Sequence, residues 1–459
     1  MAKIKPELPS GFRDYLPEDM IPRQKMLDVI RNVFERFGFE PLDTSMVEKF
    51  SVLTGNDPDF KMNLFRTGIV KGANQPLAQA FEEMALRFDL TVPLARVVAT
   101  NLDLPWPFKR YQMGYVFRGE KAQRGRFRGF MQFDADTVGS ATMLADTEII
   151  QLMYTTMRAL GVKNFVIRFN NRKILNGLAK LAGFDKPEKR KEVFRILDKM
   201  EKSSWEELKT ELQKKPENKF DATAPNLSDN SIEIIENFLK LTDEKFSSEQ
   251  VLSILKGMFK NTPIGLEGIN ELTEIVNNLQ GLNIPKENWK IDLSVARGLD
   301  YYTGPVFETT LTDLPEIGSV FSGGRYDDLV SRFSDATLPA TGASLGVDRL
   351  FVALEILKVI KKQKSVCQAI ILNLDLKLQA DYLQIAQELR SAKIKTQIYM
   401  GEDLSFRAQL AYALKMEIPI VLILGENEKK KNIIEVKDTR TREQKPVARE
   451  KVTEYIKNL

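Results

Sequence analysis

Hydrophobic positions change period several times along the chain, and each change marks an element. Residues 19–37 carry Ile21, Leu27, Ile30, Phe34 and Phe37 on one helical side, and Gly38 ends the run. Residues 39–46 predict a strand, with a flanking segment to residue 53. No periodicity assigns an element to residues 56–83. Residues 86–88 read as a strand end and residues 91–99 as a helix that tolerates Pro93 in its first turn. In residues 108–138, Tyr111, Met113, Tyr115 and Phe117 alternate with Arg110, Gln112, Gly114 and Arg118, which is a strand period. The return run ends in Gln132, Asp134 and Asp136, three side chains on one face. Two strands joined by a basic loop are expected, then a helix over residues 142–160 and a strand over residues 165–169.

The texture then shifts. Residues 187–282 are rich in Lys and Glu with helical apolar spacing and contain no motif, so they read as a helical insertion. From residue 289 strands return, with a glycine turn after RGLD and a second, Gly-Gly turn at Gly323 and Gly324. The small residues Gly342, Ala343, Ser344 and Gly346 precede a helix opened by Arg349. After a charged link, strand and helix patterns alternate over residues 367–373, 379–392, 395–399, 405–416, 418–425, 432–438 and 446–458. Uninterrupted apolar strands between helices predict a parallel or mixed sheet covered on both faces.

A chain of 459 residues, 43% hydrophobic and 28% charged, has room for two or three domains. No run approaches a membrane span, and MAKIKPELPSG has no apolar stretch after its lysines, so a cytoplasmic location is expected. The single cysteine, Cys367, has no partner for an internal disulfide. Net charge is only +4, but residues 361–459 hold 19 basic against 13 acidic residues, so the tail is the basic end. There is no histidine at all. This excludes imidazole bases, Ser-His-Asp triads and the usual zinc sites, and leaves chemistry to arginine, carboxylates and bound metal.

The hairpin is the strongest candidate for chemistry. Lys109, Arg110, Arg118, Lys121, Arg124, Arg126 and Arg128 stand against Glu120 alone, which suits a polyanion or, as the plain alternative, a solvated edge kept from aggregating. Asp89 precedes a helix and either caps it or binds a ligand. Tyr301 and Tyr326 read equally as buried scaffold aromatics.

Specific motifs narrow these choices. FRGE with QRGRFRGFMQ resembles motif 2 of class II aminoacyl-tRNA synthetases, residues 39–53 resemble motif 1, and LPATGASLGVDRLFVAL resembles motif 3. QFDAD, RGLDYY and GGRYD resemble segments peculiar to histidyl-tRNA synthetases, and residues from 365 onward resemble the anticodon-binding domain shared by several class II enzymes. The resemblance covers about residues 9–182 and 289–459. It implies an α+β catalytic domain, an antiparallel sheet flanked by helices, in residues 1–182 and 287–360. A helical insertion fills residues 183–286, either a spacer or a clamp on tRNA, and an α/β anticodon-binding domain fills residues 365–459. The implied activity is attachment of L-histidine to tRNA(His) through a histidyl-adenylate formed from ATP, with Mg2+, in a cytoplasmic homodimer.

The resemblance also implies residue roles. Arg297 and Arg118 would contact the α-phosphate, Arg126 and Arg349 the rest of the triphosphate. Glu120 would orient ATP and Phe127 stack on adenine, although an aromatic there equally suits a core. Asp89, Thr91 and Gln132 would take the ammonium group, Asp136 and Tyr302 the imidazole, with Tyr301 and Tyr326 lining the pocket. Lys121, Gln123 and Arg124 are candidates for the tRNA acceptor end, and no metal ligands are assigned. A non-catalytic paralogue like the regulatory subunit of histidine biosynthesis is the rival reading. It would be expected to lose the arginines and the anticodon domain, whereas both are present here.

Overall fold

The computed structural model describes residues 4–55, 63–69, 84–121, 125–201, 203–216, 224–242, 245–296 and 301–459. They form two compact units, residues 1–13 with 28–359 and residues 14–27 with 360–459. In chain order, α1 (Pro17–Arg36) is followed by β1 (Glu40–Pro41), β2 (Val47–Lys49), α2 (Phe50–Thr54), β3 (Arg66–Thr67), β4 (Met84–Leu86), α3 (Thr91–Thr100), β5 (Phe108–Phe117) and β6 (Gly129–Val138). Next come α4 (Met143–Ala159), β7 (Phe165–Asn171), α5 (Arg172–Leu181) and five further helices, α6 (Pro187–Leu197), α7 (Trp205–Leu212), α8 (Asp229–Leu239), α9 (Ser248–Met258) and α10 (Pro263–Gly281). β8 (Trp289–Ile291), β9 (Pro305–Leu311), β10 (Phe321–Arg325), β11 (Ala340–Gly346) and α11 (Val347–Ile356) complete the first unit.

Eight of these strands make one mixed sheet in the order β1-β5-β6-β11-β10-β9-β7-β8. Its six central strands are antiparallel, and both edge strands pair in parallel, β1 with β5 and β8 with β7. The β5–β6 register sets Arg110 opposite Asp136 and Gln112 opposite Asp134, so these four side chains share a face. The other face is apolar. Phe133 lies 4.9 Å from the Phe34 ring of α1 and 5.7 Å from Tyr111, which seats the hairpin on the helix stripe seen in the sequence.

Three expectations change here. The strand expected over residues 39–46 is only the two-residue β1 of the large sheet, and the flanking segment holds β2, which joins β4 and β3 in another sheet. The Gly-Gly pair is inside β10 rather than in a turn: a Cβ on Gly323 would sit 2.0 Å from the Gly342 carbonyl oxygen, so glycine permits close approach of two strands. Arg110 does not belong to a solvent-facing basic surface. It is fully buried and ion-paired with Asp136 at 2.8 Å.

The helices of residues 187–281 pack within the first unit, and α10 lies against α5. A Cβ on Gly177 would meet Gly265 Cα at 2.9 Å and the Phe259 ring at 3.0 Å. Lys173 anchors the same contact through Glu267 and Glu271, at 2.6 and 2.5 Å.

The second unit has its own five-stranded sheet. It is built from β12 (Ala369–Ile371), α12 (Gln379–Ser391), β13 (Thr396–Ile398), α13 (Phe406–Lys415), β14 (Ile420–Ile423), α14 (Glu426–Lys430), β15 (Ile433–Asp438), β16 (Gln444–Ala448) and α15 (Val452–Lys457). The order is β13-β12-β14-β15-β16, parallel at first and antiparallel from β14 onward. Ile371 and Leu422 bury on one face and Ile370 and Val421 on the other, which explains their continuous apolar runs. The last expected element, residues 446–458, is instead an edge strand followed by a helix, and Pro446 is tolerated at that edge.

The glycine contact gives a paired test. Gly177→Ala should lower stability by about 1–3 kcal/mol through overpacking, despite alanine's better helix propensity. Gly257→Ala, whose added Cβ meets nothing within 4 Å, should raise it by up to about 1 kcal/mol. Urea midpoints of the two variants check the sign, and a stabilised Gly177→Ala would refute the tight crossing.

Candidate active site

The polar face of β5 and β6 opens into a cleft with two lobes. The first, about 240 Å³, is lined by Asp89, Thr91, Arg118, Gln132, Asp134 and Asp136 below, and by Tyr301, Tyr302, Tyr326, Glu308 and Arg349 around it. The second, about 260 Å³, is lined by Arg118, Glu120, Lys121, Arg126, Phe127, Phe130 and Arg349. Arg118, Gln132, Ser319, Ser322, Ser344 and Arg349 border both. One lobe is acidic and aromatic, the other cationic, and they share a wall.

The acidic lobe is fixed by short-range chemistry. Asp89 resolves its two readings by doing both: Oδ1 accepts the Val92 N–H at 3.0 Å at the start of α3, while Oδ2 is buried with no hydrogen-bond partner among the described residues. Burial raises its carboxyl to about 6, against the opposing pull of the Val92 N–H and of Arg118. Asp136 is held from two sides, by Arg110 and by the Tyr326 hydroxyl, which donates to Oδ1 at 2.5 Å. Gly342 beneath it leaves the necessary space, since a Cβ there would lie 2.0 Å from Asp136 Oδ1. Burial raises the carboxyls of both Asp134 and Asp136, with Arg110 opposing in each case. The hydroxyls of Tyr301, Tyr302 and Tyr326 are pushed up by burial and by neighbouring carboxylates or phenols, so all three remain neutral donors at pH 7.

Ser344 settles the orientation of Gln132. Its hydroxyl bonds to Asp134, whose carboxylate only accepts, so its oxygen receives Gln132 Nε2 at 2.6 Å. Gln132 Oε1 is then left buried and unpartnered, an acceptor on the lobe.

In the cationic lobe, Arg118 donates from Nε to the Phe88 carbonyl at 3.1 Å, and its guanidinium lies 5.2 Å from the Phe130 ring centroid. Arg349 on α11 donates to the Ser319 carbonyl at 2.5 Å. The same helix pins β6, because Asp348 Oδ2 accepts the Met131 N–H at 2.6 Å. Arg126 is exposed, and Phe127 is half-buried on the lobe wall. Arg128 turns its Nε to the Glu120 carbonyl at 3.1 Å, and Lys109 pairs with Glu148 at 2.9 Å. Two more cations of the hairpin are therefore engaged in structure.

The candidates named from the sequence converge. Asp89, Thr91, Gln132, Asp136, Tyr301, Tyr302 and Tyr326 line the first lobe, Glu120, Lys121, Arg126 and Phe127 the second, and Arg118 and Arg349 both. Arg297, Gln123 and Arg124 lie outside the described residues. Sequence reasoning gave no role to Asp134 or to Glu308, which is buried on the first lobe and paired with Arg168. The period-two run through Gln132, Asp134 and Asp136 was the available signal for Asp134. Among the described residues no three carboxylate or thiol groups converge as a cation cage, so no protein-built metal site is assigned.

Comparison with known proteins identifies this arrangement. A family model described as histidyl-tRNA synthetase matches residues 11–350, and one described as an anticodon binding domain matches residues 368–459. The chain is 39% identical over 463 residues to the histidine–tRNA ligase of Clostridium tetani, covering 99% of each, and 38% identical to that of Paracoccus denitrificans, covering 95% of this chain and 90% of the other. The crystal structure of histidyl-tRNA synthetase from Nostoc sp. PCC 7120 superposes with a TM-score of 0.83 at 32% identity, covering 99% of this chain and 100% of that one. A protein from Bacillus halodurans described as an ATP phosphoribosyltransferase regulatory subunit/histidyl-tRNA synthetase superposes at 0.73 with 22% identity, a likeness of fold alone.

Buried Asp89 makes stability depend on pH. From about pH 4 to about 6 the folded protein keeps a proton there that the unfolded chain has released, so stability present at lower pH is lost as pH rises. Asp89→Asn keeps an acceptor for Val92 and should remove on the order of 2–3 kcal/mol of that loss. Urea midpoints at about pH 4.5 and about pH 7.5 should show wild type falling relative to the variant. Parallel behaviour would refute a buried, ionising Asp89.

Proposed function

The chain belongs to the histidyl-tRNA synthetase family, and from that premise we propose how its residues divide the work. It is a ligase that attaches L-histidine to tRNA(His) through a histidyl-adenylate. In the first step the amino-acid carboxylate attacks the α-phosphorus of ATP and pyrophosphate leaves. In the second, a tRNA ribose hydroxyl attacks the adenylate carbonyl and AMP leaves. The carboxylate nucleophile is already ionised at pH 7, so a chain without histidine lacks nothing for the first step.

The observation that carries the assignment is the shared wall. Histidine fits the acidic lobe, its ammonium on Asp89 Oδ2, Gln132 Oε1 and Thr91, its ring towards Asp136 and Tyr302, with Tyr301 and Tyr326 closing the sides. ATP fits the cationic lobe, with Phe127 against adenine, Glu120 orienting the nucleotide, and Arg126 and Arg349 along the triphosphate. The reacting carboxylate and α-phosphate then meet at Arg118, whose planar charge follows the oxygens as bonding changes. Arg297, by resemblance, adds a second guanidinium to the α-phosphate. Mg2+ would travel on the phosphate oxygens of ATP, since no cage of protein carboxylates is formed among the described residues.

The finer assignments follow the family. Residues 1–182 and 287–360 act as the catalytic domain, residues 183–286 as its insertion, and residues 365–459 read the anticodon. Lys121, Gln123 and Arg124 approach the acceptor end. Among the described residues no helix is long and apolar enough to cross a membrane, in keeping with work on tRNA in the cytoplasm. A homodimer is supported by the open outer edge of β1 and by Met46 and Val47, exposed just beyond it.

Amino-acid-dependent exchange of pyrophosphate into ATP tests the core of this reading. Histidine alone among the standard amino acids should support exchange. Silence with all of them, in folded protein with Mg2+, would favour the regulatory rival. Arg118→Ala and Arg297→Ala should each lower the exchange rate about 10²–10³-fold with little change in the KM for histidine. A raised KM with an unchanged rate would reject the phosphate role.

A further inference from the structure

The acidic lobe has spare acceptors. Asp89 Oδ2, Gln132 Oε1 and Asp134 Oδ1 are buried without hydrogen-bond partners among the described residues, and all three residues line the lobe. Asp136 accepts from Tyr326 and faces Arg110, which leaves lone pairs of its carboxylate open. Two of its donors are committed, Tyr326 to Asp136 and Gln132 Nε2 to Ser344. Such a lobe complements a ligand that presents N–H groups and few acceptors.

Charge points the same way. Four carboxylates, Asp89, Asp134, Asp136 and Glu308, are buried here. Arg110 of β5 pairs with Asp136 at 2.8 Å and acts on Asp134 through its charge. Arg87 lies behind, bonded to the Thr44 and Tyr115 carbonyls at 2.7 and 2.9 Å, facing Asp43 at 3.9 Å and acting on Asp134 through its charge. Arg118 approaches Asp89 from the end of β5, and Arg349 of α11 stands on the shared wall. Glu308 of β9 is matched by Arg168 of β7, which also faces Asp292 at 3.5 Å. The ammonium of an amino acid answers Asp89. Among the described residues, one carboxylate of the Asp134–Asp136 pair then exceeds the cations in contact with it.

Resting on the assignment of this lobe to the amino acid, we propose that histidine is held here as its imidazolium, one ring N–H donating to Asp134 Oδ1 and the other to Asp136, while Arg110 balances the pair from below. A neutral ring offers one donor and one acceptor, and its bare nitrogen would have to accept from whichever carboxyl holds the pair's proton. The imidazolium offers two donors and fills both acceptors. The proton is at hand. Burial keeps the Asp134–Asp136 pair partly protonated, so on binding a carboxyl O–H breaks and a ring N–H forms, with no other reactant. Asp134 thereby becomes a specificity-determining residue beside Asp136.

The test is nitrogen NMR of ring-15N histidine bound to the full-length protein, across about pH 6 to 9. Both ring nitrogens should keep imidazolium shifts well above the free ring's titration near about 6.5, raised by about 1–3 units. Asp134→Asn should bring that titration back down by about 1–2 units. One protonated and one bare nitrogen at about pH 7.5, in protein that still exchanges pyrophosphate with histidine alone, would overturn the imidazolium and leave the functional reading intact. Failure of both exchange and binding would remove the reading, and the proposal with it.

Discussion

Negative charge buried on the floor of the acidic lobe constrains the rest of the first unit. Asp89, Asp134 and Asp136 are each out of water, and a buried carboxylate is tolerated only when counter-charge and hydrogen bonds are supplied close by. Arg110 supplies them through its ion pair with Asp136, and its Nη2 donates to the Leu90 carbonyl at 3.1 Å, one residue beyond Asp89. One guanidinium therefore ties the hairpin to the start of α3. A slip of one residue between β5 and β6 would turn Arg110 towards the apolar face and leave the acids unmatched, so site electrostatics and strand register are the same requirement.

The apolar side makes that register affordable. Phe133 and Tyr111 pack on Phe34 of α1, and Phe34 also stacks on Phe321 of β10, so three central strands rest on one helix. Gly342 lets β11 pass close to Asp136, and Gly323 lets β10 pass close to β11, with no Cβ in the way. Rigid placement of carboxylates and arginines on strands, rather than on loops, suits a reaction that depends mainly on positioning. The loops carry what must adapt. Glu120 and Arg126 flank the tip of the hairpin on the wall of the cationic lobe.

Much of this was legible because strand periodicity is explicit in the chain. The alternation in residues 108–138 marked the hairpin and grouped Gln132, Asp134 and Asp136, and the motifs supplied Tyr301, Tyr302, Tyr326 and Arg349. Periodicity defines a face but not whether water or protein covers it. Arg110 was therefore counted with a polyanion surface when it serves a buried acid. Gly323 and Gly324 were read as a turn because glycine commonly punctuates, whereas here the missing Cβ is what matters. Glu308 gave no local signal, since its role arises from Arg168 and Asp292, brought together only by the β7–β9 pairing and the segment after β8. The two-residue β1 is too short for any pattern and exists only through its pairing with β5.

Specificity needs both the charge and the walls. Acceptors on carboxylates would attract lysine and arginine as readily as an imidazolium, because each brings positive charge and several donors. What separates them is shape. The lobe is about 240 Å³, and the Tyr301 ring stands edge-on to Tyr302 at 5.0 Å and to Tyr326 at 5.8 Å, which leaves a short, walled space above a glycine floor. A longer, flexible cation would have to fold within it or displace a ring, and a neutral amide of similar length would leave buried carboxylates unanswered. Histidine meets both demands because it carries two ring nitrogens on a compact planar frame. The protein itself has no histidine, so the substrate brings the one imidazole in the complex of this chain with histidine and ATP.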